Sequence, residues 1–225
     1  MRYAPLTHPN LGLGVSPMRR REFIALLGSG IADGNTTGIS ILSPELDGKR
    51  QDILIEAVPG VRRLAALADA KVSTPQQLQM LQEAARGHGI DLAIYSARTP
   101  EDIMPAMDQA KTAGATALNV LGSPLFAGSN RGIVLGRAAV LRLPAIYQWP
   151  EMAEEGGFAA YGPRLTQIYR QEARLVARIF RGVKPADIPV EQPAKFELVI
   201  NLQAAKVIGH EVPAALVLRA DKVIE

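Results

Sequence analysis

No cysteine occurs in the 225 residues. That absence excludes a disulfide scaffold, a thiol nucleophile and any zinc site built on thiolates. Aromatic residues make up only 5% of the chain, so a core must be packed mainly from Ala, Leu, Val and Ile. The three histidines, His8, His88 and His210, are scattered, and neither they nor the carboxylates show the spacing of metal ligands. Gly12-x-Gly14 and Gly28-x-Gly30 lack the third glycine and the preceding strand of a dinucleotide fingerprint, and no phosphate-loop Lys-Ser/Thr pair occurs. The apolar run Phe23–Ala32 contains Gly28 and Gly30 and is too short to span a bilayer. No cofactor and no catalytic constellation is therefore expected, and the chain does not read as an enzyme. Charge is equally uninformative as a binding signal. Most of the net +3 lies in the first 34 residues, where Arg2, Arg19, Arg20 and Arg21 outweigh Glu22 and Asp33. A nucleic-acid binder would gather Lys and Arg on one face with aromatics among them, so nucleic acid is excluded as a partner.

What is present is the balance of an ordinary globular protein, 48% hydrophobic and 21% charged, with enough chain for one large domain or two small ones. Residues 1–34 stand apart. Residues 1–17 have no periodicity, and Met18 could serve as the start. Met18-Arg19-Arg20-Arg21-Glu22-Phe23-Ile24-Ala25-Leu26-Leu27 has the layout of an export leader, with a basic cluster before a short apolar run. Arg20-Arg21 with Phe23 resembles a twin-arginine signal. A working leader places the protein in the periplasm; otherwise it is cytoplasmic.

From residue 35 onward strands and helices alternate. Thr37–Leu42 is a short β-rich run, and Ser43-Pro44 opens a helix through Ala57. Strands follow at Val61–Ala68, Asp91–Ser96, Ala117–Leu121, Pro144–Tyr147 and Phe158–Tyr161. The helices between them include two that start at Thr74-Pro75 and Thr99-Pro100 and one over Ser129–Arg142. Strands separated by such helices predict a doubly wound parallel five-stranded α/β sheet with helices on both faces. Glu151, Glu154 and Glu155 read as a solvated turn.

The tail breaks the rhythm. Leu165, Ile168, Tyr169, Val176, Ile179 and Phe180 share one face of a helix over Arg164–Arg181, and Phe196–Asn201 reads as a strand. With the five-stranded unit already complete, both are expected to stay exposed and to drive self-association.

In a doubly wound sheet ligands sit beyond the carboxyl ends of the strands. Those ends carry Asp69, Ser73, Thr74, Ser123, Phe126 and Trp149. Hydroxyls at helix starts suit an anionic group, although Ser73 and Thr74 read more readily as helix caps. Trp149, the only tryptophan, would make a flat apolar wall.

Several runs resemble the ABC-transporter substrate-binding proteins of the tryptophan/tyrosine-uptake type. They are Gly156-Gly157-Phe158, Tyr161-Gly162-Pro163, Lys184-Pro185-Ala186-Asp187-Ile188-Pro189-Val190 and Gln192-Pro193 through Lys195-Phe196-Glu197-Leu198-Val199-Ile200-Asn201. Gly34-Asn35-Thr36-Thr37-Gly38, the ending Val223-Ile224-Glu225 and the leader also match. The resemblance implies two α/β lobes in the type I periplasmic-binding arrangement, a small organic solute such as an amino acid held between them, and ABC permease membrane subunits as partners. It places Trp149 and Tyr161 beside the hinge and cleft. It also implies a first lobe, of the usual small-domain size, between leader and Gly34. Here Leu27-Gly28 runs almost directly into the hinge strand, so that lobe is expected to be missing. Residues 1–34 would then be a disordered start and leader, 35–42 a hinge strand, and 43–160 the second lobe. Residues 161–225 would carry the hinge return and orphaned first-lobe elements. Impaired binding is the expected consequence. The alternatives are a non-functional or self-associating remnant and, less favoured, an enzyme on a doubly wound fold.

Overall fold

The computed structural model describes residues 35–41 and 43–225. The leader and the twin-arginine run lie outside the described residues. Helix α1 (Ser43–Ala57) leads into β1 (Arg63–Asp69), α2 (Pro75–Gly87), β2 (Asp91–Ala97), α3 (Pro100–Thr112) and β3 (Ala117–Val120). After two 3₁₀ turns come α4 (Arg131–Val140), β4 (Ala145–Tyr147), α5 (Pro150–Glu154) and β5 (Ala159–Gly162). The chain ends with α6 (Leu165–Phe180), β6 (Glu197–Asn201), α7 (Leu202–Ile208), α8 (Ala214–Val217) and β7 (Lys222–Ile224).

Local chemistry explains the helix starts. Thr74 precedes Pro75, and its Oγ1 accepts from the Gln77 N–H at 3.2 Å. Thr99 precedes Pro100, and the Asp102 carboxylate reaches back to accept from the Thr99 N–H at 2.9 Å. Each arrangement satisfies an N–H that the first helical turn leaves free.

The sheet order is β2-β1-β3-β4-β5-β6-β7, and every pairing is parallel except β5 with β6. Period-two alternation sends Leu64, Ala66 and Ala68 to one face and Ala65 and Leu67 to the other. The first face packs Ile53, Leu54 and Ala57 of α1, Leu81 and Ala85 of α2, and Leu216 of α8. The second packs Ile103 and Met107 of α3, Val134 and Ala138 of α4, and Met152 of α5. The α/β architecture is thus as expected, but the sheet has seven strands rather than five.

The correction concerns the tail. The Phe196–Asn201 strand is not orphaned: β6 pairs antiparallel with β5, in the register Ala159↔Ile200 and Tyr161↔Leu198. All five β6 residues are buried, and β7 then pairs parallel with β6. A buried β5 edge would have left a row of N–H and C=O groups without partners, and β6 supplies them. Only Phe196, just outside β6, stays half-buried. On α6 the apolar stripe divides. Ile168, Gln171 and Leu175 are buried, and Gln171 donates to Glu191 Oε2 (2.6 Å) and the Gln192 carbonyl (3.1 Å) of the following connection. Tyr169, Val176 and Phe180 remain exposed. The expected hinge strand over Thr37–Leu42 is reduced, among the described residues, to one parallel bridge between Ile39 and Glu191.

An ion-pair network ties these late elements together. Arg164 contacts Glu154 Oε1 at 2.9 Å and Glu197 Oε2 at 2.6 Å, while Lys222 meets Glu154 at 2.8 Å and Lys195 meets Glu197 at 3.2 Å. The Arg164 hydrogen bond, helped by Lys222, holds the Glu154 carboxyl below the ordinary glutamate value of 4.5. Burial pushes Glu197 up, but Arg164 and Lys195 outweigh it and leave that carboxyl lowered as well. Both groups bind protons more weakly folded than unfolded. Their contribution to stability is therefore present above the unfolded value and is lost as pH falls through the folded ones. The urea midpoint is expected to fall as pH drops from about 5 to about 3, and Arg164→Met should flatten that fall. Parallel slopes for the two proteins would refute this account of the network.

Candidate functional site

Strands β1 and β3 are neighbours although β2 lies between them in sequence, so the winding direction reverses between β1 and β3. A crevice is expected beyond the carboxyl ends at such a switch point. A cleft of ≈ 360 Å³ lies there, bordered by Val72 after β1, by Gly122 and Ser123 after β3, and by Gln148 and Trp149 after β4. The volume falls in the range of small-molecule sites, about 300–1,000 Å³.

Its floor is a braced polar set. Asp69, at the end of β1, accepts from the Lys71 N–H at 2.8 Å and from Ser123 Oγ at 2.6 Å, across the switch point. Ser123 Oγ in turn accepts from the Leu125 N–H at 2.9 Å, and the Gln148 amide donates to the Ser123 carbonyl at 3.1 Å. All three side chains are buried. With both carboxylate oxygens of Asp69 engaged, this residue holds the loops in place, and Ser123 and Gln148 form the surface above it.

A second buried set lies behind the β3 loop. Asp47 and Arg50, one turn apart on α1, form an ion pair with both side chains out of solvent. The Asp47 carboxylate also accepts from the Gly122 N–H at 2.9 Å and the Gln77 amide at 2.6 Å, and Arg50 donates to the Tyr161 carbonyl at 3.0 Å. Burial pushes the Asp47 carboxyl up, against the pull of Arg50 and these donors. The pair thus links the rim of the cleft to β5.

Of the residues singled out from the sequence, Ser123 and Trp149 line the cleft and Asp69 stands directly behind it. Thr74 caps α2, and Ser73 gives its N–H to the Asp69 carbonyl at 2.9 Å; neither borders the cleft. Phe126 is in the core between α3 and α4, because the 3₁₀ turn Pro124–Phe126 rotates its ring inward. Tyr161 is half-buried on the opposite face of the sheet, its ring 6.3 Å from that of Phe196.

Sequence reasoning missed Arg131, Glu151 and Tyr169, which also border the cleft. Glu151 is no solvated turn residue: its Oε1 accepts from the Leu165 N–H at 3.1 Å, at the start of α6. Glu155 pairs with Arg131 at 2.7 Å. The usable signal was Trp149-Pro150-Glu151, a Pro at a helix start followed by an acid in the first turn. Among the described residues no three His, Asp or Glu side chains come together as metal ligands, and no helix is long and apolar enough to cross a membrane.

The family described as "ABC transporter substrate binding protein" matches residues 29–224. No curated protein matches the chain. Among solved structures, a conserved domain protein from Vibrio cholerae is 26% identical, with a TM-score of 0.73 over 83% of this chain and 62% of that one. A domain from Streptococcus pneumoniae, solved in complex with L-Trp, is 21% identical, with a TM-score of 0.72 over 84% of this chain and 64% of that one. A ligand-free, open substrate-binding protein from Clostridium difficile is 19% identical, with a TM-score of 0.54 over 84% of this chain and 62% of that one. The chain spans less than two thirds of the length of each.

Proposed function

Because the chain belongs to the ABC transporter substrate-binding protein family, a family of transport receptors rather than enzymes whose members typically work outside the cytoplasm, we propose that it receives a small organic solute of amino-acid type in the cleft beyond β1, β3 and β4. It would hand that solute to the membrane subunits of an ABC permease, in the periplasm if the leader functions. The cleft at the switch point carries this reading. The apolar side chains of Trp149, Pro124 and Leu165 border the same cleft as Ser123 and Gln148 of the braced polar set. Such a mixture of apolar lining and few fixed polar groups suits a small solute with an apolar body. The L-Trp bound by the Streptococcus pneumoniae domain supports an amino acid as the class.

Val72 and Tyr169, 52% and 61% exposed, leave the mouth open. A solute held by these walls alone would bury less than the roughly 70–90% of its surface typical of tight sites, so binding is expected to be weak. Apolar and aromatic amino acids at millimolar concentration should raise the melting temperature, and Trp149→Ala should abolish the response. A panel of amino acids that leaves the melting temperature unmoved, or moves Trp149→Ala equally, would overturn the reading.

A further inference from the structure

A second cavity, of ≈ 230 Å³, lies between α4 and α7 and shares no bordering residue with the cleft. Leu135 and Ala138 of α4 border it, as do Ala204 and Val207 of α7, Phe158, and Tyr147 of β4. An apolar cavity of about 150 Å³ already takes up benzene, so this one is large enough for a small organic molecule. Val207 is 72% exposed, and the cavity opens to the surface beside it.

Three polar side chains border the cavity, and no charged one does. Asn201 is spent: its Oδ1 accepts from the Ala204 N–H and its Nδ2 donates to the Ala153 carbonyl, both at 2.8 Å. Gln203 is exposed and donates to the Glu225 carbonyl. Tyr147 differs from both. It is 1% exposed, and its hydroxyl has no hydrogen-bond partner among the described residues. Six side-chain polar atoms of the described residues lack a partner and are closed off from solvent, and the Tyr147 oxygen is not among them. The little surface that Tyr147 keeps therefore includes this oxygen, which opens into the cavity the residue borders. The ring lies close against Gly157, where a Cβ would be 2.6 Å from Tyr147 Cε2, and this packing fixes the direction of the hydroxyl. Burial pushes the phenol above its ordinary value of 10.0, so it keeps its proton and donates.

Buried polar groups are ordinarily satisfied, so a fixed donor without a partner at the base of an apolar cavity specifies what a ligand must bring. We propose that this cavity is a second binding site, separate from the cleft, for a small uncharged molecule with an apolar body and one hydrogen-bond acceptor, such as a ketone, received by the Tyr147 hydroxyl. The apolar body lies against Leu135, Ala138, Phe158 and Ala204. Anions are rejected, because no cation borders the cavity to offset the loss of their hydration.

The test uses the full chain and three probes: acetophenone, α-methylstyrene, which has the same shape without the acceptor, and benzoate. Titrations followed by methyl-labelled NMR give the dissociation constants, and the methyl shifts of Leu135, Ala138 and Val207 report location. Tyr147→Phe removes only the hydroxyl, which has no protein partner to lose, so the variant should melt as the wild-type chain does. Acetophenone should bind the variant about two- to tenfold more weakly, the value of one neutral hydrogen bond. The affinity of α-methylstyrene should not change, and comparing the two probes cancels their different costs of leaving water. Benzoate should leave the methyl shifts unmoved. Acetophenone and α-methylstyrene responding alike to the substitution would overturn the role given to the hydroxyl. Benzoate binding as tightly as acetophenone would overturn the selection of uncharged molecules. Methyl resonances that neither neutral probe moves would overturn the site itself.

Discussion

Asp47→Ala is expected to destabilise the fold by about 3–5 kcal/mol, the range for leaving a buried charge without its partner. Arg50 is 1% exposed, and among the described residues its guanidinium has only the Asp47 carboxylate as counter-ion and the Tyr161 carbonyl as further acceptor. Removing the carboxylate also strands the Gly122 N–H in the interior and takes a partner from the half-buried Gln77 amide. The pair is not itself a net source of stability, because desolvating two ions offsets most of their attraction. Asp47→Ala combined with Arg50→Met should therefore recover much of the loss. Urea denaturation of the two proteins at neutral pH decides the matter. A single substitution costing less than about 1 kcal/mol, or a double one costing as much as the sum of its parts, would contradict the role given to the pair. Since Gly122 borders the cleft, the single variant should also lose its thermal response to amino acids.

Gly162→Ala carries the other large effect. A Cβ on this residue would lie 2.0 Å from the Gln148 carbonyl oxygen and 3.1 Å from its carbon. The obstruction is backbone, at the end of β4, and it cannot rotate away as a side chain could. Relief requires β5 to part from β4, whose pairing runs through Tyr147↔Ala160. Overpacking usually costs about 1–3 kcal/mol, and the rigidity of the obstacle puts this case at about 3 kcal/mol or beyond. Gly136→Ala, on α4 with nothing within 4 Å of the added carbon, is the control and should stabilise by about 0.5–1 kcal/mol. Melting temperatures that moved alike for the two variants would mean that β4 and β5 are not held this closely. Displacing Gln148 would also disturb the Ser123 carbonyl it donates to, so weakened solute binding should accompany the loss of stability.

The local signals were strong where they concerned a single turn or strand. Thr74-Pro75 and Thr99-Pro100 announced α2 and α3, because a hydroxyl or carboxylate near a free N–H followed by proline is a statement about one helical turn. The strand and helix alternation announced the parallel sheet for the same reason. Errors arose where a residue's role depends on what packs against it. Phe196–Asn201 was legible as a strand, but its place beside β5 was not, since pairing follows from which edge lacks partners once the sheet exists. Phe126 stood at a strand end like Ser123, yet one 3₁₀ turn placed its ring in the core and kept the serine at the cleft.

Charges were the hardest to read. Asp47 and Arg50 look like any exposed pair at i, i+3 on a helix, and Glu151 looks like part of an acidic surface turn. In each case one-dimensional pattern favours solvent, because most charges are solvated. By itself the sequence determined most of the element types, the α/β class and the family. Each of these follows from local propensity, periodicity or motif. The tertiary structure alone decided the seven-strand order, the Asp69–Ser123–Gln148 floor and the buried Asp47–Arg50 brace. It also decided that Glu151 accepts from the start of α6 and borders one cleft together with Trp149. These rest on contacts between residues far apart in the chain, whose burial and hydrogen bonding exist only once the sheet has closed.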